Sequence, residues 1–205
     1  QGGMVFRLQD LESLDNNKNV AIANFAYGIT GNQTLLFGMP YRLSPSGSNR
    51  SGDLSALYRY TTWQKDFSEG TYRVGLLGGG LIPTNNSSDG GAQGGAVATF
   101  YKGRHELDLD ALWGQGFGKS PNRAQYDVSY QFRLSPTEYP ETGLSSEWDA
   151  VVEYNGRWQQ KKQLIHQATV GLQWIHPTWV LEGGVIQDVN GPHDTQLIIS
   201  TRIHV

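Results

Sequence analysis

Residues Ala124 to Leu134 read Ala-Gln-Tyr-Asp-Val-Ser-Tyr-Gln-Phe-Arg-Leu, with apolar or aromatic side chains on one parity and polar or charged ones on the other. A strict period of two places the two sets on opposite faces of a β-strand. One such segment fits any half-buried strand. The pattern recurs, however, and that recurrence limits the architectures open to the chain. In His105–Trp113, Leu107, Leu109, Ala111 and Trp113 oppose Glu106, Asp108, Asp110 and Leu112. Trp148, Ala150, Val152 and Tyr154 oppose Asp149, Val151 and Glu153, and Leu197, Ile199, Thr201, Ile203 and Val205 oppose Gln196, Ile198, Ser200, Arg202 and His204. Around Arg59 and Arg73 the alternation persists, with Leu57 and Leu77 interrupting the polar parity. An apolar face and a charged face repeated along a whole chain imply a β-barrel with lipid outside and water inside.

Composition is compatible with this reading. The 205 residues include no cysteine, and a closed barrel needs no disulfides because it satisfies its own backbone hydrogen bonds. The net charge is -3 with no basic stripe, which argues against a nucleic-acid partner. A mean hydropathy of -0.46 has a soluble look, but alternation hides a lipid-facing surface from any average. No apolar run reaches the roughly 18–20 residues of a spanning helix. The sequence shows no signal peptide at Gln1, so an exported chain is expected to be in its mature form.

Turn signals divide the chain into about 12 strands. They are expected near residues 3–12, 18–29, 33–43, 53–63, 70–82, 92–102, 104–114, 123–135, 146–157, 163–175, 178–188 and 194–205, forming a single antiparallel transmembrane barrel over residues 1–205. Residues 1–17 read either as the first strand or as a short plug, since Leu8, Leu11 and Leu14 recur at a helical spacing. Short links at Thr30–Asn32, Lys102–Arg104 and His176–Pro177 alternate with longer polar ones at Ser44–Gly52, Thr84–Gly91, Gly114–Asn122 and Asn190–Asp194. Short periplasmic turns, longer outer loops and an even strand count belong to bacterial outer-membrane barrels. Ser135–Ser146 breaks the rule: it is long and holds Pro136 and Pro140 where a short turn is expected.

Tyr27-Gly28-Ile29-Thr30, Met39-Pro40-Tyr41, Gly52-Asp53-Leu54 and Gly80-Leu81-Ile82-Pro83-Thr84 carry a further likeness. From about Asn19 onward the chain resembles the outer-membrane barrels associated with the meta-pathway of phenol degradation. The resemblance implies a channel-like outer-membrane protein near the handling of small molecules, with no catalytic residues to transfer. The ending Ile203-His204-Val205 departs from the aromatic terminus common in such barrels.

The inward parity supplies the candidate functional residues. Glu106, Asp108, Asp110, Asp127, Asp149 and Glu153 fall on three successive strands, with Arg133 at one end of that sector and Glu182 added by parity with Val180. Arg59, Arg73 and Arg202 fall elsewhere, and His204 shares the inward face of the last strand. An acidic wall facing a basic one would set a transverse field across a water-filled lumen and tune selectivity. The alternatives are a non-conducting structural or interaction barrel plugged by ion pairs, and a soluble β-sandwich or lipocalin-like binder. Tyr58, Tyr126, Phe132, Trp148, Tyr154, Trp174 and Trp179 take the outward parity, as interfacial belts or as a sandwich core.

The chain is expected not to be an enzyme. Ser200 and His204 share a strand face but stand about 13 Å apart, beyond hydrogen-bonding reach. Of the other histidines, His105, His176 and His193 sit near turns and His166 faces outward. No metal or cofactor is expected, because five scattered histidines and no cysteine give no ligand spacing. Glu106, Asp108 and Asp110 project from one face yet more often meet solvent or arginine than an ion. Gly78-Gly79-Gly80 lacks the lysine and helix of a phosphate loop and reads as close packing or a bend. The expected partners are membrane lipid and a small-molecule solute, and the oligomeric state is left open.

Overall fold

The structure, a computed structural model, describes residues 2–135 and 146–205. Twelve strands follow in chain order: β1 (Met4–Ser13), β2 (Asn19–Thr30), β3 (Gln33–Ser44), β4 (Leu54–Phe67), β5 (Gly70–Ile82), β6 (Gly91–Lys102), β7 (His105–Gly116), β8 (Arg123–Arg133), β9 (Glu147–Gln159), β10 (Ile165–Ile175), β11 (Trp179–Asp188) and β12 (Thr195–His204). Each pairs antiparallel with its sequence neighbours, and β1 pairs with β12 to close the barrel. Closure matters because an open edge would leave a row of backbone donors and acceptors unpaired in lipid.

That requirement decides the ambiguous N-terminus. The spacing of Leu8, Leu11 and Leu14 fits a helix, but the segment is bonded on both sides, from Met4↔Tyr27 on β2 to Leu11↔Ile198 on β12. Leu8 faces outward, 55% exposed, while Leu11 lines the lumen.

Two-residue turns join β2 to β3, β4 to β5 and β6 to β7, and the chain ends meet beside them through Met4 N–H to Val205 O at 2.8 Å. The third of these turns uses Gly103 at φ 62°, a left-handed conformation that costs glycine little. The turn at Ser68–Glu69 lacks strong sequence signals, and β4 runs on to Phe67, past the expected end near residue 63. The reason is a bulge between Thr61 and Trp63 that resets the alternation, with Thr62 as the extra residue. Residues 136–145, which hold Pro136 and Pro140 of the long β8–β9 link, lie outside the described residues. Gly79 resolves the triple-glycine question: a Cβ there would stand 2.0 Å from the Ala56 carbonyl oxygen, so glycine is needed for close packing of β5 on β4.

Burial is inverted relative to a soluble protein. Leu77, Val151, Val180, Ile186 and Ile198, the buried apolar residues, all face the lumen, whereas Val170 is 64% and Ile199 61% exposed on the outside. So continuous an exposed apolar surface is a lipid-facing belt. This excludes the soluble sandwich or lipocalin-like reading, whose outward face would have to be polar. Aromatic side chains gather at both rims. Trp148 stacks on Trp174 with centroids 5.6 Å apart at one end, and Trp113 on Trp158 at 5.7 Å at the other. Their amphipathic rings suit the headgroup level. A closed barrel with such a belt belongs to the bacterial outer-membrane class.

Candidate functional site: the barrel lumen

Two cavities occupy the lumen. The larger, about 1220 Å³, opens toward the long loops and includes Asp53, Ser88 and Ser120 from them in its lining. The smaller, about 580 Å³, lies toward the short turns. Arg202 and His204 line both, and the larger also reaches Val5, the cross-strand partner of His204 at the short-turn end of β1.

The period-two parity delivers the sequence-derived residues to this space. Arg59, Asp110, Asp127, Glu153 and Glu182 line the larger chamber, and Arg73, Glu106, Asp108, Arg133 and Asp149 the smaller. In the ring of strands, β7 stands half-way round from β1, where Arg7 is the cross-strand partner of Arg202. Acidic β7 therefore faces an arginine pair across the lumen.

Part of this charge is consumed internally. Arg157 donates to both carboxylate oxygens of Asp127, at 2.9 and 3.0 Å. Arg133 pairs with Glu147 at 2.7 Å, and Arg7 with Glu182 at 2.9 Å. The last pair forms a small network, since Ser200 Oγ donates to Glu182 at 3.0 Å and Arg7 Nε donates to Ser200 Oγ at 3.3 Å. Asp108 is held in place by Thr99 Oγ1 at 2.6 Å and Gln131 Nε2 at 3.2 Å. Asp110 and Asp149 each keep a buried oxygen with no protein partner, as does Asn155. Each such atom costs free energy unless an ordered water reaches it.

Three participants escape the sequence reading. Arg7 lies in the segment whose spacing also fits a helix, while Glu147 and Arg157 flank the stretch of β9 where alternation is clearest. The same parity carried back from Asp149 to Glu147, and forward from Glu153 through Asn155 to Arg157, would have found both. Among the described residues no group of three or more His, Asp or Glu side chains converges as a metal site.

The Arg7 network gives the first testable expectation. The Arg7 and Glu182 side chains are 30% and 13% exposed, so the bridge is only partly desolvated. Arg7→Ala is expected to lower stability by on the order of 1–2 kcal/mol, because Glu182 keeps Ser200 but loses its cation. Urea unfolding in detergent reads this, and an unchanged midpoint would mean that the bridge contributes nothing beyond hydration.

At the outer rim, the loops are tied to one another. Ser88 Oγ donates to Asp53 Oδ2 at 2.7 Å and lies 3.0 Å from Ser120 Oγ, linking the β3–β4, β5–β6 and β7–β8 loops. The Lys119 backbone N–H donates to Asp89 at 2.9 Å and holds that exposed carboxyl below its ordinary range.

No family model matches the sequence, and no curated protein does. Solved structures do match the fold. The COG4313 outer membrane channel from Pseudomonas putida F1 is 15% identical, with all of this chain and 94% of that one covered, at a TM-score of 0.54. A structure from a study of in-meso crystallization of membrane proteins is 13% identical, covering 98% of this chain and 83% of that one, also at 0.54. These likenesses agree with the outer-membrane barrel class that the lipid belt defines. They also bring a correction. The expectation that the chain is not an enzyme does not stand, because the matched barrels include an outer-membrane enzyme, LpxR from Salmonella typhimurium. At 10% identity, 98% and 99% coverage and a TM-score of 0.48, that match transfers no activity.

Proposed function

We propose that the barrel is a channel for the passive diffusion or uptake of small polar or amphipathic solutes through a charged lumen. The observation that carries this reading is the pair of lumenal chambers lined by unevenly distributed charges, with buried carboxylate oxygens that have no protein partner. A core meant only to fill space would be expected to satisfy those groups internally. The likeness to a solved outer membrane channel supports the reading. The resemblance to barrels associated with the meta-pathway of phenol degradation supports a small metabolite as the solute.

Twelve strands lie between the side-chain-filled barrels of about 8 and the open channels of about 16–18, which argues for a narrow path rather than a wide pore. Liposome swelling with neutral sugars of increasing size tests this: pentoses are expected to enter faster than disaccharides. Equal rates for both, or no swelling with either, would contradict a narrow diffusion path.

The second reading, a non-conducting structural or interaction barrel, is favoured by the three lumenal ion pairs Arg7–Glu182, Arg133–Glu147 and Arg157–Asp127. Paired charges of this kind fill a lumen as readily as they line one.

A further inference from the structure

The larger chamber is not polar all round. Leu36 on β3, Leu57 on β4 and Leu81 on β5 line it, and Leu36 and Leu57 are cross-strand partners. Arg59 lies two residues beyond Leu57 on the same face of β4. Its Nη2 donates to Thr34 Oγ1, on its own cross-strand partner, at 3.1 Å. Its Nε is buried with no hydrogen-bond partner. Among the described residues the ion pairs are Arg7–Glu182, Lys119–Asp89, Arg133–Glu147 and Arg157–Asp127, so no carboxylate neutralises Arg59. The arginine stem passes Gly75, where a Cβ would touch Arg59 Cγ at 3.6 Å. Arg73 is near enough to add to the positive potential.

A fixed, half-buried guanidinium with no carboxylate partner, set beside an apolar wall, presents two kinds of recognition at once. We propose that this wall binds a small amphipathic monocarboxylate, whose carboxylate accepts hydrogen bonds from Arg59 and whose apolar body lies on Leu36, Leu57 and Leu81. The planar guanidinium matches a carboxylate in charge and in hydrogen-bond geometry. The leucines remove apolar area from water. A neutral apolar molecule would leave the guanidinium without a counter-charge, a cation would be repelled, and acetate has no body to place on the wall. Binding itself needs only the chamber, but the physiological meaning of the site, as the solute class of the channel, rests on the channel reading.

Calorimetric titration of the refolded protein in detergent tests the site, with cyclohexanecarboxylate as probe, acetate and cyclohexylmethanol as comparators, and protein-free micelles as the blank. Saturable binding of cyclohexanecarboxylate is expected, absent for both comparators over the same range, and weakened about tenfold or more by Arg59→Gln. No saturable binding to the native chain, or equal binding to the variant, would overturn the assignment. If Arg59→Gln does not refold, Leu57→Asn takes its place and is expected to weaken binding about tenfold through lost apolar contact; unchanged affinity would again overturn it. A barrel that conducts ions but does not bind the probe defeats this inference alone. One that binds the probe but does not conduct defeats only the channel reading.

Discussion

Val170→Arg is expected to destabilise the barrel by about 2–4 kcal/mol in a lipid bilayer, the cost of a cation on the lipid face near the midplane. Val170 is the sixth residue of the eleven in β10, points outward and is 64% exposed, with Val152 and Val185 as its cross-strand neighbours. The matching change on the other face should behave differently. Ser129 lies mid-strand on β8 with lumenal parity, between Asp108 on β7 and Glu153 on β9. Ser129→Arg would meet two carboxylates in a solvated space and is expected to change stability by less than about 1 kcal/mol. Folding equilibria in phospholipid vesicles measure both. Equal effects of the two substitutions would contradict the assignment of lipid to one face and water to the other.

The second large effect concerns permeation. At roughly 8 Å from a passing ion, with an effective dielectric of about 40, one fixed charge contributes about 1 kcal/mol, or about fivefold in local ion concentration. Asp108 and Asp110 project from the same face of β7 into adjoining chambers. Asp108 is held by Thr99 and Gln131, so asparagine at that position retains hydrogen bonding while removing charge. The double change Asp108→Asn with Asp110→Asn is therefore expected to lower the cation-to-anion permeability ratio by about fivefold or more. The reversal potential under a salt gradient reads the ratio, and its shift should shrink as salt rises. An unmoved reversal potential would mean that the β7 carboxylates do not face the conduction path.

Much of this fold is legible in the sequence because a strand's period of two is a strong local signal. Every strand from β2 to β12 lies within a few residues of its expected place, and the aromatic outward face of β8 follows from parity alone. What local patterns cannot contain is set by the ring. Whether β1 is a strand depends on closure between β2 and β12, a non-local demand that overrides the leucine spacing. The bulge at Thr61–Trp63 shifts parity within β4 and hides the end of that strand. At the site, single-strand reading places each charge on a face but not beside its partner. Arg157 against Asp127 and Arg7 against Glu182 arise from register between strands. Leu57 and Leu77, which interrupt the polar parity, face inward, and Leu57 forms part of the apolar wall beside Arg59.

Single-channel recording of the refolded protein in a planar bilayer tests the central claim most directly. A narrow charged lumen should give small, stable conducting steps. Protein that is folded and inserted, yet passes no current across a range of salts and voltages, would contradict the channel and leave the ion-paired barrel in its place.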